Sequence, residues 1–185
     1  EASMVVAPSD HLIVKEEKFL SLLERGLEFV EENESLLTLG ITAHRPETGY
    51  GYIQANKKQK AEGREDIMKV KTFTEKPNLD LAKVFLNSGD FYWNSGIFLW
   101  SVSSILLAFE THLVDINSLF AEEKEAFGTE REDDAIQNIY PACKSISIDY
   151  GIMEKASNVY MLAADIGWSD LGTWGALHEQ VEKDD

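Results

Sequence analysis

The hydrophobic positions change period along the chain, and the changes mark out alternating strands and helices. Met4-Val5-Val6-Ala7-Pro8 reads as the end of a buried strand running into a loop that carries Asp10 and His11. Over Glu16 to Glu32 the apolar residues Phe19, Leu20, Leu22, Leu23, Leu27 and Val30 recur at helical spacing, which predicts an amphipathic helix. Ser35 to Thr42 is strand-like, Arg45 to Gly49 carries turn chemistry, and Tyr50 to Ala55 is a short extended run. The charged stretch Asn56 to Asp66 predicts a solvated hairpin tip or loop. Ile67 to Thr74 alternates as a strand and stops at Lys76-Pro77, because proline cannot donate to a ladder.

Asn78 then reads as a helix cap, with Leu79, Leu81, Ala82, Val84, Phe85 and Leu86 predicted to pack inward. A strand follows over Tyr92 to Trp100, and helical patterns over Ser101 to Phe127 break near His112. Asp133 to Ile139 predicts one or two further helical turns. Next come a brief strand at Ser145 to Ile148, a short helix over Tyr150 to Ala156, a strand at Val159 to Ala164 and a last helix over Thr173 to Val181. This alternation predicts an α/β domain whose mainly parallel or mixed sheet is flanked by helices, with ligands beyond the carboxyl ends of the strands.

Composition narrows the function. A chain of 185 residues with 44% hydrophobic content suits one domain with one sizeable core, so residues 1–185 are read as a single body. Its 17 basic and 33 acidic residues give a net charge of −16, a field that repels nucleic acid. Lone Cys143 cannot form an internal disulfide, and no stretch approaches the roughly 20 apolar residues of a membrane span, so no membrane partner and a cytoplasmic location are expected. A homodimer is compatible with these residues and is not specified by them.

Several predicted strand ends carry polar groups with two readings each. Asp10, and Asp170 within Trp168-Ser169-Asp170-Leu171-Gly172, are either helix or turn caps or a carboxylate pair for a hard cation. Glu75-Lys76 is a surface pair, or else a carboxylate for sugar hydroxyls beside a point charge for a phosphate. Asn94-Ser95-Gly96 interrupts an apolar strand, where the buried amide needs a partner from ligand or backbone. Gly49 and Gly51 flank Tyr50 and allow either a turn or a close approach by a ligand. The spacing of Cys and His excludes a structural zinc site, and none of the four histidines has a nucleophile pattern beside it.

Six segments occur in order: Pro8-Ser9-Asp10-His11, Arg45 to Ile53, Phe73-Thr74-Glu75-Lys76-Pro77, Trp93 to Phe98, Ser147-Ile148-Asp149-Tyr150 and Gly167-Trp168-Ser169-Asp170. Together they resemble the mannose-1-phosphate guanylyltransferase family over almost the whole chain. The resemblance implies a Rossmann-like, GT-A-like nucleotidyltransferase fold that joins mannose 1-phosphate and GTP to give GDP-mannose and pyrophosphate. It also implies Mg2+ held by Asp10 and Asp170, with Gly49, Gly51, Glu75, Lys76, Asn94 and Asp149 lining the substrate pocket and Lys76 meeting the phosphate.

Against the family pattern, Ser9 replaces a usual alanine, Ala43-His44 a proline and threonine, and Gly151 an alanine. The glycine-rich nucleotide-binding loop does not occur in this sequence, so the chain is expected to be an N-terminally truncated, partial domain, inactive by itself. A nucleotidyltransferase for another sugar 1-phosphate or base, or a non-catalytic regulatory paralogue, is the alternative.

Overall fold

Strand β6 (Phe91–Ser101) organises the molecule, because three other strands pair with it in antiparallel register. A computed structural model describes residues 2–172. Its described elements run β1 (Ser3–Val6), β2 (Leu12–Ile13), α1 (Glu16–Glu32), β3 (Leu36–Thr42), β4 (Tyr52–Ala61), β5 (Arg64–Thr74), α2 (Leu79–Ser88), β6, α3 (Val102–His112), α4 (Val114–Glu122), α5 (Glu132–Ala142), β7 (Val159–Ala164) and β8 (Trp168–Ser169). A 3-10 turn at Lys124–Ala126 and a π-helical turn at Asp149–Met153 complete the order. The helix predicted over Thr173 to Val181 lies outside the described residues.

The main sheet is mixed, in the order β1-β6-β3-β7-β5-β4, with β3–β7 its one parallel pair among the described strands. Its last strand returns to β6, where Tyr52 pairs with Trp93. The pairings β6–β3–β7–β5–β4–β6 therefore form a closed circuit. On one flank of β6, β1 takes the carboxyl half (Ser3↔Ser101 to Val6↔Phe98) and β4 the amino half, and the strand forks between them at Asn94-Ser95-Gly96. Gly96 has a φ of +69°, which a side-chain-bearing residue would adopt only at a cost.

Strand alternation sorts the core into two clusters. Leu37, Leu39, Ile41, Leu99 and Leu162 pack with Leu22, Phe29 and Val30 of α1 and Ala82 and Phe85 of α2. On the other side Leu36, Phe98, Trp100, Val159 and Met161 pack with Ile105 and Ala108 of α3 and Ile152 and Met153 of the π turn. Period-2 patterning thus places helices against both faces of β3, β6 and β7. Helix α1 is held against the hairpin tip by Arg64, whose guanidinium meets Glu32 at 2.8 Å and Glu28 at 3.6 Å, and by Arg25 on Asp66. The cap on α2 is as predicted: Leu81 donates its N–H to Asn78 Oδ1 at 2.9 Å.

Three expectations are corrected. β1 is half exposed, with Met4 and Val6 about 40% accessible, because it pairs only with β6 and no described element covers its outer face. Of the two readings of Asn56 to Asp66 the hairpin tip holds: the segment is largely exposed, turns at Glu62-Gly63, and cross-strand pairing with β5 keeps its arms extended. Ser145 to Ile148 forms no strand. Of the six apolar residues of α2 only Ala82 and Phe85 are buried, one stripe rather than a broad face, and in α1 Leu20 points outward.

Leu37 is fully buried between α1 and β6, whereas Leu20 is 58% exposed. Leu37→Ala should cost about 2–5 kcal/mol of unfolding free energy by leaving a cavity, and Leu20→Ala less than about 0.5 kcal/mol. Urea denaturation of both variants measures the difference.

Candidate functional site

The fork in β6 is where the polar residues of the site meet. Asn94 donates its backbone N–H to Gly51 O at 2.8 Å and its side-chain Nδ2–H to Asp149 Oδ1 at 2.8 Å. Its Oδ1 accepts from the Gly96 N–H at 3.2 Å, within the fork itself. The partner of this amide is therefore the Asp149 carboxylate. Next to it Ser95 turns the other way and donates to Leu39 O at 2.7 Å, so both polar side chains that interrupt the apolar strand are satisfied.

Gly51 is buried, and a side chain there would displace the Glu75 carboxylate. A Cβ on it would stand 2.6 Å from Glu75 Oε2 and 3.4 Å from Asn94 Cβ. Glu75 directly follows β5, opposite the start of β4 where Tyr52 pairs with Thr74, and its Oε1 holds Lys76 Nζ at 3.3 Å. Lys76 has a φ of +43°, a left-handed backbone uncommon for a residue with a Cβ, which turns the chain sharply just before Pro77. Gly51, Glu75, Lys76, Asn94 and Asp149 thus lie together in the structure.

Gly49 belongs to the neighbouring turn instead. It donates its N–H to Glu47 Oε1 at 3.1 Å, and the atom nearest its missing Cβ is that same oxygen at 3.5 Å. The turn is fixed from several sides. Glu47 also accepts from Thr48 N and Arg45 Nε, and the Tyr52 hydroxyl both accepts from Glu47 N and donates to Glu47 O at 2.9 Å. Burial pushes the Glu47 carboxyl up, but the bonds from Gly49, Arg45 and Thr48 outweigh it and the net shift is downward.

A second group lies at one end of the β2–β8 ribbon. Leu12 pairs with Ser169 in antiparallel register, so Asp10, two residues before β2's first residue, and Asp170, next after Ser169, sit at the same end. Asp10 is exposed and Asp170 half-buried. Trp168 Nε1–H donates to His11 Nδ1 at 3.1 Å and ties the two strands together there. Tyr50 joins the groups. Its ring is buried edge-on against Trp93 and Trp168, its phenol feels the negative charge of Asp170, and its chain neighbour Gly51 lies in the first group. Burial, then the negative charge of Asp170, push the Tyr50 phenol up to about 12, so it stays a hydrogen-bond donor at neutral pH.

Sequence reasoning missed Tyr50, although its two flanking glycines pointed straight at it. It missed Glu154 as well, which follows the π turn, donates its backbone N–H to Asp149 O at 2.9 Å and adds a third carboxylate beside Glu75 and Asp149. Burial raises the Glu154 carboxyl, and the charges of Asp149 and Glu75 raise it further. Burial raises Asp149 too, against the opposing pull of Asn94 and Lys76. The first group is thus a wall of hydrogen-bond acceptors with one lysine at its rim, suited to a ligand rich in hydroxyl donors that carries one anionic group.

A family model described as nucleotidyl transferase matches residues 1–185. A mannose-1-phosphate guanylyltransferase of Escherichia coli is 35% identical over 182 residues, which are 98% of this chain and 39% of that protein. The alginate biosynthesis protein AlgA of Pseudomonas aeruginosa is 35% identical over 187 residues, 98% of this chain and 37% of its own. A solved Thermus thermophilus structure, described as a mannose-1-phosphate geranyltransferase, superposes with a TM-score of 0.83 at 31% identity, covering 98% of this chain and 50% of that one. The Rossmann-like nucleotidyltransferase fold is shared with it. The chain spans about two-fifths of the length of the curated relatives it matches.

Asp149 gives the site a pH signature. With its folded pKa above the ordinary carboxyl value of 3.8, the folded protein holds this proton where the unfolded chain has released it. Its contribution to stability is therefore full below that value and is lost as pH rises through the folded pKa. Asp149→Asn keeps an oxygen for Asn94 without the charge. Its melting temperature relative to the parent should rise as pH climbs from about 3 to 7; a difference that shrinks over this range contradicts the assignment.

Proposed function

The chain belongs to the nucleotidyl transferase family, and from that premise we propose that it forms the sugar-phosphate and metal-binding part of an enzyme joining mannose 1-phosphate and GTP into GDP-mannose and pyrophosphate. The observation that carries the reading is the acceptor wall: Glu75 Oε2 and Asn94 close around the missing side chain of Gly51, with Asp149 bonded behind Asn94 and Lys76 paired to Glu75. A hexose offers several hydroxyl donors to such a wall. Its 1-phosphate offers the anion that Lys76 is placed to meet.

In the reaction a phosphate oxygen of mannose 1-phosphate attacks the α-phosphorus of GTP as the bond from that phosphorus to the pyrophosphate oxygen breaks. A phosphate dianion is already nucleophilic, so no side chain has to remove a proton. The residues act by position and charge. Glu75 and Asn94 hold the sugar hydroxyls, and Lys76 offsets the sugar phosphate's charge within a chain of net charge −16.

Asp10 and Asp170 supply carboxylate oxygens at one end of a two-stranded ribbon, a donor type suited to a hard cation such as Mg2+. Among the described residues no group of three or more His, Cys, Asp or Glu side chains is arranged to hold a metal. When bound, the ion would neutralise phosphate charge and align the phosphates.

The test is to assay the full-length protein with GTP, ATP, UTP and dTTP against mannose and glucose 1-phosphates in the presence of Mg2+. GDP-mannose is the expected product, and preference for another pair rejects the proposed substrates. Lys76→Ala should raise the KM for mannose 1-phosphate roughly ten-fold or more, as expected for a lost charge-assisted bond. Asp10→Asn and Asp170→Asn, folded by circular dichroism, should lower kcat by at least about 100-fold; near-normal turnover in both rejects the metal assignment.

A further inference from the structure

The chain segments that lead into and out of the π turn carry Lys144 and Lys155, and both lysines line one cavity of about 280 Å³. The elbow at Leu113, where α3 and α4 meet at a bend of 115°, lines it as well, with His112 and Ile116, and Ile146 adds a further apolar side chain. The volume is just below the roughly 300–1,000 Å³ of small-molecule sites, so it suits a small ligand. Lys15, Lys18, Lys60 and Lys76 each hold a carboxylate. Lys144 and Lys155 do not: neither makes an ion pair or side-chain hydrogen bond with a described residue, and the one interaction described for either is the charge of Lys155 acting on Glu154. Asp115 lines the cavity too, outside ion-pair reach of both lysines. In a chain of net charge −16, two uncompensated ammonium groups on one cavity make a local attraction for an anion that the surrounding surface lacks.

We propose that this cavity is a second binding site, apart from the acceptor wall, for a small phosphate ester that acts as an effector of that wall. Lys144 and Lys155 take the phosphate, whose terminal oxygens accept from two ammonium groups at once. Leu113, Ile116 and Ile146 cover a short carbon skeleton, and Asp115 accepts from a hydroxyl on it. The position of the ligand gives it a hold on the wall. Residues 144 and 155 bracket the segment that carries Asp149 and Glu154, so a phosphate bridging the two lysines clamps both ends of it. Inside that segment Gly151 N–H donates to Ser147 O and Glu154 N–H to Asp149 O, both at 2.9 Å, which braces it internally. The elbow is seated on the same segment, since a Cβ on Gly151 would stand 2.9 Å from Leu113 Cδ1. With the segment clamped, Asp149 stays in place for Asn94, and less ordering remains to be done when the sugar binds.

The experiment is isothermal titration calorimetry of the full-length protein with glycerol 3-phosphate and with inorganic phosphate, in a Lys76→Ala background so that the proposed sugar-phosphate site does not contribute. Glycerol 3-phosphate should bind. Adding Lys144→Ala and Lys155→Ala should weaken that binding at least about ten-fold, as expected for lost charge-assisted bonds, and leave the melting temperature near that of the parent. Inorganic phosphate, without a carbon skeleton, should bind more weakly than the ester. Equal binding with and without the two lysines overturns the site, as does no heat of binding at millimolar concentration, and phosphate binding as tightly as the ester overturns the ligand class. For the hold on the wall, Lys76 is restored and the KM for mannose 1-phosphate is measured with glycerol 3-phosphate present. It should be roughly five-fold lower in the parent than in the Lys144→Ala, Lys155→Ala variant; equal values overturn the effector role. This last readout alone rests on the proposed reaction. The calorimetry needs no turnover, so its outcome is the same whichever sugar or base the enzyme takes.

Discussion

The bond from Asn94 to Asp149 is the interaction on which the rest of the site depends. It crosses from the middle of the sheet to a helical turn 55 residues further along the chain, and it is made possible by a break in β6. A regular strand would have sent the side chain at this position into one apolar cluster or the other. With Gly96 in a left-handed conformation the register shifts, β1 and β4 part, and an amide can stand in the gap with all its groups engaged. One local irregularity therefore determines where the polar chemistry of an otherwise apolar sheet can sit.

The same fork explains why the site is crowded with carboxylates in spite of their mutual repulsion. Glu75 comes from the end of β5, and Asp149 and Glu154 from one π turn closed by the Glu154 N–H on Asp149 O; burial raises both carboxyls of the turn, and repulsion from Asp149 and Glu75 raises Glu154 further. Lys76 is held beside them by a strained backbone and an ion pair. The local arrangement has the character of a site set up for a charged, hydroxyl-rich ligand at some expense to the folded state.

Much of this was legible in the sequence, and the failures have physical causes. Helix α1 spans the predicted residues and β7 likewise, because a 3.6-residue stripe and a short continuous apolar run each have few alternatives. Asn78 could be read as a cap from its place after Pro77, and Glu75, Lys76 and Asn94 from polarity at strand ends. Gly49 was indistinguishable from Gly51, since what separates them is the Glu75 carboxylate, which comes from a different strand. The hairpin tip beyond Asn56 could not be told from a loop, because pairing, not composition, keeps charged residues extended there. Glu154 gave no signal at all: its approach to Asp149 depends on a π turn, whose five-residue spacing has no signature in hydrophobic periodicity.

The closed circuit of strands has a consequence for how the chain is made. β3 leaves the ribosome early, whereas β6 and β7, which flank it on its two sides, follow more than 50 and 120 residues later. Until β7 is synthesised, the Leu36–Thr42 segment has an unpaired edge whose side chains are almost all destined for the interior. Contacts this distant in sequence close slowly, so the nascent chain must carry an adhesive strand until β6 and β7 follow, and α1, already complete and amphipathic, is the element in position to shield one face of it.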